Sequence, residues 1–140
     1  MRLSTKGRYS VRAMADLAKY GKDRPVTISE LAKREELSFA YIEQLFVKLK
    51  KAGFLKSVRG AEGGWLLAKP PSLITVGDIL RVVEGPLSPV FCVDTEKERK
   101  KTCPRSKGCL TRPLWEKLRK KMSGVLDKTT LADLAEEKIA

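Results

Sequence analysis

Apolar residues recur at helical spacing along most of this chain and at strand spacing in only one short region. "STKGRYSVRAMADLAKYG" places Val11, Met14, Leu17 and Ala18 on one face, which predicts an amphipathic helix stopped at Gly21. In "VTISELAKREELS", Thr27 and Glu30 have capping-box spacing, each side chain satisfying a free backbone N–H at the helix start. Ile28, Leu31 and Ala32 supply the apolar stripe of that helix. After a turn at residues 36–38, "FAYIEQLFVKLKKAG" repeats Ile42, Leu45, Phe46, Leu49 and Ala52 at i, i+3, i+4, i+7 and i+10, a helix predicted to end at Gly53.

The period then changes. "FLKSVRGAEGGWLLAKP" offers strands at Phe54–Val58 and Trp65–Lys69 around a glycine-rich tip, a β-hairpin. Pro70 and Pro71 interrupt the chain, and "ITVGDILRVVEG" predicts a short helix capped by Thr75, with Asp78 three residues on and Ile79, Leu80 and Val83 buried. Gly85 and Pro86 end it. "TRPLWEKLRKKMSGVLDK" predicts a long helix with a Thr111 cap and an early Pro113. Its Trp115, Leu118, Met122 and Val125 form a short heptad-like seam, open to a partner subunit or to the core of its own chain. "TTLADLAEEKIA" predicts a short terminal helix.

Two helices joined by a tight turn, the second rich in lysine, read as a helix-turn-helix, and a hairpin directly after them gives the element order of a winged helix. An ordinary helix pair with a surface hairpin is the competing reading. The expected fold class is mostly α with a small β-hairpin: a winged helix-turn-helix DNA-binding domain plus a long C-terminal dimerisation helix. The expected division is residues 1–85 for the winged helix, 86–110 for a cysteine loop, and 111–140 for the dimerisation helix and tail.

Charge adds a partner. The 140-residue chain carries a formal net charge of +12, which favours a polyanion, either nucleic acid or an acidic membrane surface. No apolar run approaches the ~20 residues that span a bilayer. The basic start "MRLSTKGRYS" is not followed by an apolar stretch, so no secretory signal is expected and the location is cytoplasmic, where thiols stay reduced. A redox enzyme is disfavoured by the lack of a C-x-x-C pair, a histidine base or a nucleotide fingerprint. The chain is not read as an enzyme.

All three cysteines, Cys92, Cys103 and Cys109, lie within "CVDTEKERKKTCPRSKGC", and the chain has no histidine. Thiolates are soft ligands that suit iron–sulfur clusters, zinc and copper(I). Structural zinc wants four protein ligands, and an odd thiol count leaves one cysteine outside any intramolecular disulfide. Three thiolates with a fourth ligand from water, a small molecule, Asp94, Glu96 or a partner subunit favour an iron–sulfur cluster; zinc and metal-free thiol sensing stay open. Neighbouring lysines and arginines favour the thiolate form.

"MRLSTKGRYSVRAM", "SFAYIEQLFVKLKKAGFLKSVRGAEGGWLLAK" and "CLTRPLW" together resemble the Rrf-type winged-helix transcription regulators, the family of the iron–sulfur regulator IscR, the nitric-oxide sensor NsrR and the cysteine-metabolism repressor CymR. The resemblance spans nearly the whole chain and is closest through Leu67. It implies a homodimeric transcription factor, with a cluster held by three cysteines between the short helix and the long dimerisation helix, where Cys92, Cys103 and Cys109 stand. A 4Fe–4S cluster is favoured and 2Fe–2S is possible. Two departures stand out: the C-x10-C-x5-C spacing has a widened first gap filled by "DTEKERKKT", and Arg112 occupies the place of the histidine that IscR uses.

The resulting expectation is a sequence-specific regulator, read as a repressor, whose DNA affinity follows a cluster sensing redox state, iron or nitric oxide. Cluster-free control by thiols or a metabolite is the alternative, and nonspecific nucleic-acid binding the outlier. The helix from Ser38 to Lys51 would enter the major groove N-terminus first. Ser38, Ala40, Tyr41 and Gln44 would meet base edges, with Glu43 accepting from cytosine. Lys6, Arg8, Arg12, Lys48 and Arg59 would position the protein on phosphates or in the minor groove, and Gly60 would let the hairpin tip approach DNA closely. A twofold dimer implies an inverted-repeat operator.

Overall fold

The computed structural model describes residues 1–139. Helix α1 (Thr5–Tyr20) starts where the Ser4 hydroxyl accepts from the Gly7 N–H, and it stops at Gly21. Helix α2 (Ile28–Glu35) is capped by Thr27 and ends at Glu36, a non-glycine residue in the left-handed region at φ 55°. Helix α3 (Phe39–Lys51) is capped by Ser38. Ile42, Leu45, Phe46 and Leu49 are its buried residues; Ala52, expected on the same stripe, lies past the helix end and is exposed.

Strands β1 (Leu55–Val58) and β2 (Gly64–Leu67) pair antiparallel, with Ser57 opposite Trp65. The second strand thus begins and ends earlier than its apolar pattern suggested. Trp65 explains the shift. Its ring meets Phe46 of α3 edge-on at 5.3 Å, while its backbone exchanges hydrogen bonds with Val26, donating at 2.7 Å and accepting at 3.0 Å. Gly64 has φ 153°, and a side-chain carbon there would collide with the Val26 backbone, so glycine is required for the hairpin to seat beside α2.

Helix α4 (Val76–Val83) carries the full Thr75–Asp78 capping box and buries Ile79, Leu80 and Val83. Helix α5 (Arg112–Lys128) follows the cysteine loop, and α6 (Leu131–Ala135) closes the chain with a second capping box, Thr130–Asp133. The segment after α5 turns back into the winged helix. Leu131 is fully buried in the core of α1, α3 and α4, Leu131 N–H donates to the Ile74 carbonyl, and Val76 N–H donates to Thr129.

Two expected caps come out differently. Thr27 accepts from Glu30 N–H, but the Glu30 carboxylate is drawn to Arg24 and Arg34 and leaves the box half made. Thr111 makes no capping bond to α5; its hydroxyl lies 3.4 Å from Cys109 Sγ. Among the described residues no helix is long and apolar enough to cross a membrane.

Candidate nucleic-acid interface and cysteine loop

The interface is built on the open side of α3. Ile42, Leu45 and Leu49 are held in the core, so the opposite face turns outward, leaving Ala40, Glu43, Gln44 and Lys48 exposed. The Ser38 hydroxyl is already engaged, accepting from Tyr41 N–H at 3.4 Å. Tyr41 is half-buried: its ring packs edge-on against Tyr9 of α1 at 5.9 Å and ties the two helices together.

Basic residues of α1 gather beside this face. Lys6 and Arg8 are exposed, and the guanidinium groups of Arg8 and Arg12 lie 5.6 and 5.5 Å from the Tyr9 ring. Arg12 is committed further. It pairs with the Glu35 carboxylate at 3.2 Å and donates to the Glu35 carbonyl at 2.5 Å, so much of its charge is spent at the C-terminus of α2. On the far side of α3, Lys50 donates to Ser57 of β1 at 3.0 Å, bracing the hairpin against the helix. Arg59 and Gly60 stand exposed at the hairpin tip, Gly60 at φ 114°.

Beneath the interface an ion pair fixes α1 to α2. Arg34 donates to both oxygens of Asp16 at 2.9 and 2.7 Å, with the Asp16 side chain fully buried. That hydrogen bonding raises the pKa of Arg34. Phe39 was missed by sequence reasoning: it sits in the first turn of α3 and is 50% exposed. Its spacing to Ile42 and Phe46 matches the buried stripe, but the helix start overhangs the core, so periodicity conceals it.

The cysteine loop is a different kind of place. Cys92 lies in a short turn, Phe91–Val93, packed against α5; all three cysteines are free of disulfides and half-buried. Cys109 stands just before α5. The Thr111 hydroxyl, then the Thr111 and Arg112 backbone N–H groups, hold its thiol below the ordinary range. Asp94, a candidate fourth ligand, is buried and bonded to the Ser88 hydroxyl, while Glu96 is exposed. Arg112 pairs with Glu116 on its own helix at 3.4 Å, and a guanidinium offers no lone pair to a metal. The donor chemistry is that of a cluster, yet among the described residues no three Cys, Asp, Glu or His side chains converge to hold a metal ion. The three thiols supply donors of the right kind without being gathered around one point.

The Rrf2 family model, described as "Iron-dependent Transcriptional regulator", matches residues 3–137. The chain belongs to the Rrf2 family. An Rrf2 protein of this kind is a DNA-binding transcription regulator and not an enzyme. The HTH-type transcriptional regulator CymR of Bacillus subtilis is 44% identical over 135 residues, covering 96% of this chain and 90% of that protein. The HTH-type transcriptional regulator IscR of Yersinia pestis is 40% identical over 134 residues, covering 96% and 79%. Among solved structures, CymR, the global cysteine regulator of B. subtilis, superposes with a TM-score of 0.83 at 40% identity and 98% coverage of both chains. IscR of T. potens gives 0.78 at 42% identity, covering 98% of this chain and 88% of that one. This Rrf2 chain is therefore winged-helical by sequence and by fold, with relatives named both for cysteine regulation and as IscR.

Proposed function

We propose that this chain is a sequence-specific, homodimeric regulator that binds an inverted-repeat operator through α3 and the hairpin, with its affinity set by the chemical state of Cys92, Cys103 and Cys109. The observation that carries the DNA reading is the joint exposure of Ala40, Glu43, Gln44 and Lys48 on α3, Lys6 and Arg8 on α1, and Arg59 at the hairpin tip. Gln44 is the side chain suited to bidentate reading of adenine, with Ala40 and Phe39 placed for thymine methyls and Glu43 for cytosine. Lys6, Arg8, Lys48 and Arg59 take phosphates, and Gly60 lets the tip draw near. Ser38 and Tyr41 contribute chiefly by holding the helix start, and Arg12 by closing α1 on α2.

Two helices per dimer reading half-sites about one turn of DNA apart make operator affinity sensitive to any change in how the protomers are set. The cysteine loop joins α4 to α5 and is placed to exert such control. A cluster would require the three sulfurs to be drawn together from their present positions. A metal-free thiol response needs no such closure, and the hydrogen-bonded Cys109 supports that second reading.

One experiment tests both parts. The protein is purified without oxygen, its iron and acid-labile sulfide are measured, and operator affinity is titrated for the wild type and Cys103→Ala. Matching iron and sulfide, lost in the variant together with a change in affinity, establishes cluster control. A metal-free protein whose affinity still changes establishes the thiol reading. Identical affinity in both proteins removes the loop from the regulatory reading altogether.

A further inference from the structure

The polar segment "DTEKERKKT" that widens the first cysteine gap has a specific attachment. Residues 95–98 form a turn, closed by Thr95 Oγ1 donating to Glu98 at 2.7 Å and by Glu98 N–H donating to the Thr95 carbonyl at 3.0 Å. The turn presents the Glu98 carboxylate to Arg81 of α4, with Arg81 Nε 3.4 Å from Oε1. The same guanidinium grips Asp127 of α5 with two hydrogen bonds, at 2.6 and 2.8 Å. Asp127 can come so close because Gly77, one turn earlier on α4, has no side chain; a carbon there would collide with its carboxylate. One residue therefore holds the segment between Cys92 and Cys103 on one side and the long helix on the other.

The connection continues inward. Helix α4 packs on both α1 and α3, so a tilt of α4 is felt by the helix that faces DNA. Moving the sulfur of Cys92 or Cys103 moves the turn between them. That turn has few other anchors: Asp94 to Ser88, and a weak contact from Arg99 to the Asp94 carbonyl at 3.4 Å.

We infer that Arg81 is a positioning residue that couples the cysteine loop to the α4–α5 joint, with Glu98 of the widened gap as its loop-side partner and Asp127 as its helix-side partner. This rests on the proposed reading that the loop carries the regulatory signal. In one loop state Arg81 holds both carboxylates; when the loop is rearranged Glu98 withdraws, Arg81 and Asp127 shift, and the two recognition helices of the dimer are reset. The loop arm is a partly exposed ion pair, so it biases the equilibrium and does not hold the fold together.

The test measures operator affinity before and after iodoacetamide alkylation of the three thiols, in the wild type, Glu98→Gln and Gly77→Ala. Alkylation removes free-thiol chemistry and metal-ligating capacity alike, so the readout does not depend on which the loop uses. The wild-type affinity ratio is expected to be about fivefold or more, the lower end of ordinary allosteric coupling. Glu98→Gln should bring that ratio about two- to fivefold closer to one, the range a partly exposed ion pair can carry, with melting temperature and unmodified affinity little changed. Gly77→Ala, which expels Asp127 from Arg81, should reduce the ratio as well. A wild-type ratio of one overturns the loop reading and the coupling with it. A normal wild-type ratio that survives in both variants overturns the coupling alone.

Discussion

Helices α3 and α5 are both amphipathic and both follow a hydroxyl residue, yet only one is completed inside the chain. Over its 13 residues α3 buries four large apolar side chains, and Ser38 caps it. Over its 17 residues α5 buries none, its Thr111 turns away to Cys109, and Val125 on the seam is 64% exposed. The same contrast separates the two ends of the molecule. The winged-helix half is held by a large packed core and a buried ion pair, while the loop and long helix have only a small apolar cluster, with Leu126 on Val76, Leu80 and Leu87, beside the polar ties of Arg81. The proposed switching would use that asymmetry: a rigid reading head and a joint whose two arrangements lie close in free energy.

The core side of the comparison can be broken most severely at Phe46. It is 1% exposed and supports the Trp65 ring that seats the hairpin. Phe46→Ala should cost about 3–5 kcal/mol, the usual loss for a buried aromatic, read from urea unfolding followed by circular dichroism. A cost below about 1 kcal/mol would mean the site collapses freely and the reading head is softer than its packing implies.

The α5 side predicts the opposite result. Val125→Glu places a charge at the exposed position of the seam and should leave helix content intact, because Val125 is 64% exposed among the described residues. With the proposed homodimer built on this seam, it should nonetheless yield a monomer in sedimentation and lower operator affinity by about 100-fold, as two linked half-site contacts become independent. A variant that stays dimeric with unchanged affinity would place the dimer contact elsewhere.

How far the sequence foretold these two regions follows the same line. Where an element is settled by its own pattern, the reading was direct: the Ile42–Leu45–Phe46–Leu49 stripe, the Thr75–Asp78 box and the hairpin around Gly60 are local signals. Where a distant group competes, it was not. Thr27 and Glu30 have the spacing of a full box, but Arg24 and Arg34 take the carboxylate, and no window on α2 alone could have shown Arg34 already aligned by Asp16. Leu131 is likewise a core residue only because the chain returns to Ile74 after α5. At the cysteines the sequence supplied the donors and their order. It could not supply their placement, because the segment 93–102 is held by a tertiary contact, Glu98 to Arg81 of α4, that no local pattern encodes.

The smallest effect concerns Glu30, which puts a half-buried charge tie inside the rigid half. Hydrogen bonding from Arg24, opposed in part by desolvation and helped by the charges of Arg24 and Arg34, lowers its pKa from the ordinary value of 4.5. A carboxylate whose folded pKa is depressed contributes stability above its unfolded pKa and loses it as pH falls through the folded value. Stability of the wild type relative to Glu30→Gln should therefore be constant near neutrality and shrink below about pH 4.5, because protonation makes the two side chains electrostatically alike. Urea midpoints of both proteins across that acid range measure the difference, and solvent screening keeps it well below the Phe46 effect. A difference that stays constant from neutral to acid pH would show that Glu30 acts through packing. A large, steep loss would mean that the reading head, like the loop, depends on its charge ties, and the division drawn between the two halves would have to be given up.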